Sequence, residues 1–170
     1  WNFNSFAKKI TIMIQRPQSI FLLLVIACEI FVLSGTSIWS KNNFDGNNVV
    51  VTIQNLYHSL NGKTVFESTH FLLTALLGAS MLLTIGILFS YKNRMRQMMM
   101  GLFNSMLIAG TVGYGFFIIF KQAIPLFAPE QNGKYDLGFY ALVIALLGNM
   151  IANRLIRKDE MLVRSSDRMR

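Results

Sequence analysis

Apolar residues run for about twenty positions at a stretch four times along this chain, and the polar residues collect between the runs. The runs are Ser19–Trp39, Phe71–Tyr91, Met98–Phe120 and Leu137–Ile156. The second and third contain no charged residue, and the fourth is interrupted only near its end, by Asn149, Asn153 and Arg154. Each is long enough to cross a hydrocarbon layer. Lipid offers backbone N–H and C=O groups no water, so such runs are expected to be helical. The pattern predicts an all-α membrane protein, an antiparallel four-helix transmembrane bundle.

The stretch between the first two runs reads differently. In Ser40–His70, Val49–Ile53 is β-branched or apolar throughout, and Asn61-Gly62 separates "LYHSL" from "KTVFE". Asn-Gly between two such runs signals a two-residue hairpin. A small extracytoplasmic β element is therefore predicted in the first outer loop, resting on the helix ends. A hairpin alone is marginal in water, so it should lean on the second outer loop, Lys121–Asp136, or on lipid. That loop carries Pro125, Pro129 and "QNGK" and reads as an irregular cap.

Helices in lipid gain little from apolarity alone and need small residues or buried polar contacts at their interfaces. Gly101, Ser105, Ala109 and Gly113 form a ladder of four-residue steps in the third run; Ala141, Ala145, Asn149 and Asn153 form another in the fourth. The second run offers Gly78 and Gly86 on either side of Leu82. Close contact between the third and fourth helices is expected.

Charge then orients the helices. The net charge of +8, with 53% hydrophobic residues and mean hydropathy +0.44, belongs to a membrane surface rather than to nucleic acid. Twelve Lys and Arg fall on one side: Lys8, Lys9 and Arg16 before the first run, Lys92, Arg94 and Arg96 between the second and third, and Arg154, Arg157, Lys158, Arg164, Arg168 and Arg170 at the end. Only Lys41, Lys63, Lys121 and Lys134 fall on the other, balanced by Asp45, Glu67, Glu130 and Asp136. The positive-inside rule places both termini in the cytoplasm, as an even number of spans requires. The sole cysteine, Cys28, excludes an intrachain disulfide and a Cys metal cluster. Trp1–Ile12 precede "MIQRPQSIFLLL" at Met13, which reads like a natural start. This segment is expected to be either an extension outside the natural start or an interfacial stretch, with Trp1, Phe3 and Phe6 at the headgroups. Residues 13–170 then form a single membrane domain.

Candidate chemistry is sparse. Glu29 lies at the middle of the first run, where a charged acid costs about 2.5–3.5 kcal/mol on insertion scales. It either titrates in a proton or cation path, or stays protonated and donates a hydrogen bond across the bundle. Asn149, at a similar depth in the fourth run, is the expected partner, with Asn153 one turn further on. His58, Glu67 and His70 include a Glu-x-x-His spacing, but without HExxH, Cys or a carboxylate cluster they read as loop residues near a headgroup. No Ser/His/Asp constellation, phosphate loop or nucleotide fingerprint is legible. The expectation is a non-enzymatic protein with no cofactor and no bound metal.

The chain closes with "IRKDEMLVRSSDRMR". Leu155, Leu162 and Met169 recur every seven residues, flanked by Ile156 and Val163; Glu160 and Arg164 stand four apart, in helical register. The fourth helix should continue past the membrane as an amphipathic tail over 157–170. Its mixed charge suits a protein partner better than lipid alone. Lys158, Asp159, Glu160, Leu162, Val163, Arg164, Ser165, Asp167, Arg168 and Arg170 form the candidate docking motif.

The same residues carry a resemblance. "MIQRPQSIFLLL" and "IRKDEMLVRSSDRMR" resemble the two ends of a family of four-span inner-membrane proteins of Bacteroidota, classed as domain of unknown function family 4293. Its start resembles Met-Ile-Gln-Arg-Ile-Gln, and its end Lys-Asp-Glu-x-Leu-Val-(Arg/Lys)-Ser-x-Asp-Arg-(apolar)-Arg. Met13, Ile14, Gln15, Arg16 and Gln18 match the start, and the ten docking residues match the end; Pro17 departs from the usual apolar residue. The resemblance implies a fold and a location but no activity. The expected role is a subunit or accessory of a larger membrane assembly, in contact with the bilayer and with other membrane proteins or further copies of itself. The alternative is a small transporter or channel-like protein using Glu29.

Overall fold

Three of the four apolar runs become helices long and apolar enough to cross a membrane: Phe71–Phe89, Arg94–Leu126 and Leu137–Val163. The computed structural model describes residues 17–42, 47–60, 63–91, 93–126 and 133–167. Trp1–Ile12, the Asn61-Gly62 turn, Pro129, Arg168 and Arg170 lie outside the described residues. Among the described residues the chain is mostly helical, with four α-helices and a small antiparallel sheet. The helices are α1 (Pro17–Leu33), α2 (Phe71–Phe89), α3 (Arg94–Ile118) and α4 (Leu137–Asp167). The strands are β1 (Ser37–Asn42), β2 (Asn48–Thr52), β3 (Asn55–Leu60), β4 (Lys63–Thr69) and β5 (Lys134–Tyr135).

The first run is shorter as a helix than its hydropathy predicts. It stops at Leu33, and Ser37–Trp39, expected to end the span, open strand β1 instead. The cause is local. Gly35 takes a positive φ of 92°, which a glycine adopts without strain. Ser34 Oγ and Thr36 Oγ1 each donate to the Phe31 carbonyl at 2.7 Å, satisfying a helix-end acceptor. At 17 residues α1 is about 26 Å long, near the lower limit for a span.

The third run is longer than expected. The α3 helix begins at Arg94, where Asn93 Oδ1 accepts from the Arg96 N–H at 3.2 Å as an N-cap. Beyond Ile118 the chain continues through a π-helical turn, Ile119–Ala123, and a 3-10 turn, Ile124–Leu126. Lys121 and Pro125 thus sit in helical turns and not in an irregular loop. The fourth helix runs 31 residues without a break and carries the tail as far as Asp167.

All strands pair antiparallel in the order β4-β3-β2-β1-β5. Strands β3 and β4 pair to the end, Leu60 opposite Lys63. The segment before α4 contributes β5, whose Tyr135 pairs with Trp39, so the segments following α1 and α3 support each other as expected. The sheet face toward the helices is apolar: Trp39, Val49, Val51 and Leu56, with Ile53 from the bend between β2 and β3, are buried in one cluster with Val32, Leu73, Leu77, Ile118 and Leu142. Two glycines permit this approach. A Cβ on Gly138 would stand 2.6 Å from the Ser37 carbonyl oxygen, and one on Gly133 would run into the Trp39 indole.

The buried positions of the helices recur at intervals of three and four: Leu22, Val25, Glu29, Val32 on α1; Leu73, Leu77, Ser80, Thr84, Ile87 on α2; Gly101, Asn104, Ile108, Thr111, Gly115 on α3. That spacing averages about 3.5 residues and keeps one face inward. The strict four-residue ladder does not. Each step of four turns about 40° past a full rotation, so Gly101 is buried, Ser105 half-buried, and Ala109 and Gly113 exposed. Gly78 has open space around it, Leu82 is exposed, and Gly86 faces the terminal methyl of Met100. The ladder in α4 fares better, with Ala141, Ala145 and Asn149 all buried.

His70 joins the sheet to α2. Its N–H donates to the Gln54 carbonyl at 2.6 Å, and its own carbonyl accepts from Thr74 N. The imidazole is buried with Nε2 unpartnered among the described residues, and this burial holds it below its ordinary value near 6.5. The neutral ring is therefore the folded form. The unfolded chain takes up its proton at higher pH than the folded chain does, so stability is full above about pH 6.5 and declines below it. Unfolding midpoints measured from neutral to mildly acidic pH should fall for the native chain and fall less for His70→Gln. Equal slopes would show that His70 is not held neutral.

Candidate functional site

Polar side chains from all four helices meet in the interior. Glu29 on α1, Ser80 and Thr84 on α2, Asn104 on α3 and Asn149 on α4 are each at most 1% exposed. Ser80 and Thr84 stand one turn apart on the buried face of α2, and both hydroxyls reach the Glu29 carboxyl: Ser80 at Oε1, and Thr84 at Oε2 at 3.3 Å. Ser80 Oγ also lies 2.9 Å from Asn104 Oδ1. The Asn104 amide nitrogen donates to Thr84 Oγ1 at 2.9 Å and to Asn149 Oδ1 at 3.2 Å. The Asn149 amide nitrogen donates in turn to the Gly101 carbonyl and to Ser105 Oγ, both at 2.9 Å.

The backbone sets the direction of this chain. The Gly101 carbonyl only accepts, so Asn149 must present its amide nitrogen there and its oxygen to Asn104. Asn104 then presents its own nitrogen to Asn149 and its oxygen to Ser80. Ser80 has one proton and two neighbouring acceptors, Asn104 Oδ1 and Glu29 Oε1. One of those contacts needs a proton from elsewhere. A protonated Glu29 carboxyl supplies it by donating to Ser80 Oγ, and it also removes a buried charge.

Glu29 and Asn149 therefore share one network without touching. The expected direct pair is replaced by a relay through Ser80, Thr84 and Asn104. Those three were not singled out from the sequence. Hydroxyls and amides carry no charge to mark them in an apolar run, although the i, i+4 spacing of Ser80 and Thr84 was visible. Asn153 stays outside the network. It is half-buried, its Oδ1 has no partner among the described residues, and its amide packs on Gly101, where a Cβ would stand 3.1 Å away.

The other candidate groups fall elsewhere. His58, half-buried on β3, pairs opposite Val65, five residues before His70, about 17 Å along an extended strand. The side chain of Glu67 lies outside the described residues. In the tail, Lys158, Leu162, Val163 and Ser165 are exposed, and Asp159 and Glu160 are half-buried. Arg94 Nη1 donates to the Asp159 carbonyl at 2.8 Å, fastening the tail to the start of α3. The side chains of Arg164 and Asp167 lie outside the described residues.

Asn104 is the junction of the network, and its removal tests the role. Asn104→Leu should cost about 1–3 kcal/mol, because Ser80, Thr84 and Asn149 each lose a partner in a buried site. Unfolding by denaturing detergent measures this. A change below about 0.5 kcal/mol would mean that the helices do not depend on the network.

A family model described as Domain of unknown function (DUF4293) matches residues 14–169. No curated protein matches the chain.

Proposed function

We propose that this chain, which belongs to the family Domain of unknown function (DUF4293), is a four-span protein of a bacterial inner membrane, with both termini cytoplasmic, and a non-enzymatic subunit or accessory of a larger membrane assembly. One observation carries the membrane reading. The polar side chains of the helices are inside, and the outer faces are apolar: Leu82 is 69% exposed, Met106 63%, Phe103 56% and Leu147 52%. In water such continuous apolar surface would be a liability; in lipid it is the ordinary solvent-facing surface. The first span is the 17-residue α1. Arg94, Arg96, Arg154, Arg157 and Lys158 gather where α3 begins and α4 leaves the span, and the sheet stands at the opposite end. This arrangement supports the cytoplasmic assignment.

The network supports a structural role for Glu29. Its polar groups are committed to one another across four helices, so they hold the helices in register. The tail supports the accessory role: a continuous helix through Asp167 presents the exposed Met161, Leu162 and Val163 beside mixed charges, a surface suited to a protein partner. The second reading, a small transporter, has one observation in its favour. The titratable carboxyl stands at the head of a hydrogen-bonded relay.

Topology is tested by reporters. A fusion after Arg170 should report the cytoplasm, and an insertion near Lys63 the opposite side. Both on one side would end the four-span reading.

Glu29 separates the two roles. Glu29→Gln keeps a donor for Ser80 and an acceptor for Thr84, so stability should stay near that of the native chain. Glu29→Leu should lose about 0.6–2 kcal/mol. Vesicles carrying the native chain and Glu29→Gln should pass protons equally slowly under a pH gradient. Faster flux with the native chain alone would reject the structural role in favour of transport.

A further inference from the structure

Between α3 and α4, on the outer side of the helix pair, runs an open groove of about 590 Å³. Its walls include Met95, Met99, Leu102 and Met150, each at least half exposed. Arg154 and Arg157 stand on its α4 side at the cation-rich end, and no acidic residue lines it. Four methionines in all line this groove, counting Met98. Unbranched thioether side chains adapt to a flexible occupant better than branched ones do. From Met95 to Ser105 the α3 wall covers about 15 Å of helix, enough for the upper half of an acyl chain.

We propose that this groove binds an anionic phospholipid, with the phosphodiester held by Arg154 and Arg157 and an acyl chain laid along the methionines. The inference rests on the membrane reading above. Charge complementarity selects the occupant. A basic pair at the cytoplasmic headgroup level, continuous with an apolar trough running into the bilayer, matches a lipid with a negative headgroup and a hydrocarbon tail. A zwitterionic lipid would fill the trough but gain less from the arginines. A peptide would have to satisfy its backbone in contact with lipid, which the trough below the two arginines, apolar apart from Ser105 and Asn153, is poorly equipped to do. The groove also lies beside the close approach of Gly101 and Asn153. A lipid seated there would cover the seam between α3 and α4 where the helices leave the bilayer.

The test uses the full chain reconstituted in phosphatidylcholine vesicles with spin-labelled phosphatidylglycerol or spin-labelled phosphatidylcholine. The ratio of their association constants with the protein is the readout. The native chain should prefer phosphatidylglycerol, and the preference should fall about fivefold for each of Arg154→Gln and Arg157→Gln at low salt. Arg96→Gln, a cation at the same end but outside the groove, should leave it near the native value. Met150→Trp, which fills the trough and leaves both arginines, should weaken association of both lipids. An equal loss with Arg96→Gln would overturn the proposal in favour of diffuse surface attraction, and so would the absence of any preference in the native chain. Failure of the native chain to enter vesicles would instead overturn the membrane reading beneath it.

Discussion

A backbone carbonyl, that of Gly101, sets the polarity of the buried network that links the four helices. It accepts from Asn149, and that one fixed acceptor orients the Asn149 and Asn104 amides that lead to Ser80 and Glu29. In apolar surroundings an unpaired amide or hydroxyl costs far more than a made hydrogen bond gains. Sliding any helix by one turn would break several contacts at once and leave their partners buried. The apolar contacts around the network, such as Val25, Ile108 and Ala145, tolerate such shifts far better. The network therefore specifies register, and close packing supplies the remaining cohesion.

The two ends of the molecule are built for different neighbours. At one end the chain places β-branched residues in and beside a five-stranded sheet that covers the helix ends, and there burial of Val49, Val51, Ile53 and Leu56 contributes about 1.5–3 kcal/mol each. At the other end a short link joins α2 to α3, and Arg94 and Arg96 open α3. Gln97 Nε2 donates to the Ile87 carbonyl at 2.8 Å across the α2–α3 turn, and Arg94 reaches the Asp159 carbonyl on α4. The first contact ties α2 to α3, and the second ties the tail to the start of α3. Arg154 and Arg157 stand beside the methionine groove at this end.

Much of this was legible in the sequence. Long, almost uncharged apolar runs are expected to be helical because lipid would leave the backbone no other way to pair, and α2, α3 and α4 are helices. The β-branched run of β2 and the strands flanking Asn61-Gly62 were legible for an equally local reason. The seven-residue pattern of the tail foretold that α4 continues as one helix. Glu29 stood out because an acid within an apolar run is rare and costly.

What the sequence left open depends on rotation and depth, which no local pattern carries. Hydropathy counts Ile38 and Trp39 as part of the first span; a glycine with positive φ and two hydroxyls turn them into a strand. A ladder of four-residue steps looks like one face on paper, yet it rotates by about 40° at each step, so Gly113 ends exposed while Gly101 is buried. The partners of Glu29 were hidden for the same reason. Ser80, Thr84 and Asn104 are unremarkable in sequence, and only the packing of α2 and α3 against α1 and α4 turns them inward at one depth. The runs, their helical form and their charge bias were determined by the sequence through interactions each residue makes with its solvent. Which polar groups meet was decided by the tertiary structure, because a hydrogen bond depends on a few tenths of an ångström between helices far apart in the chain.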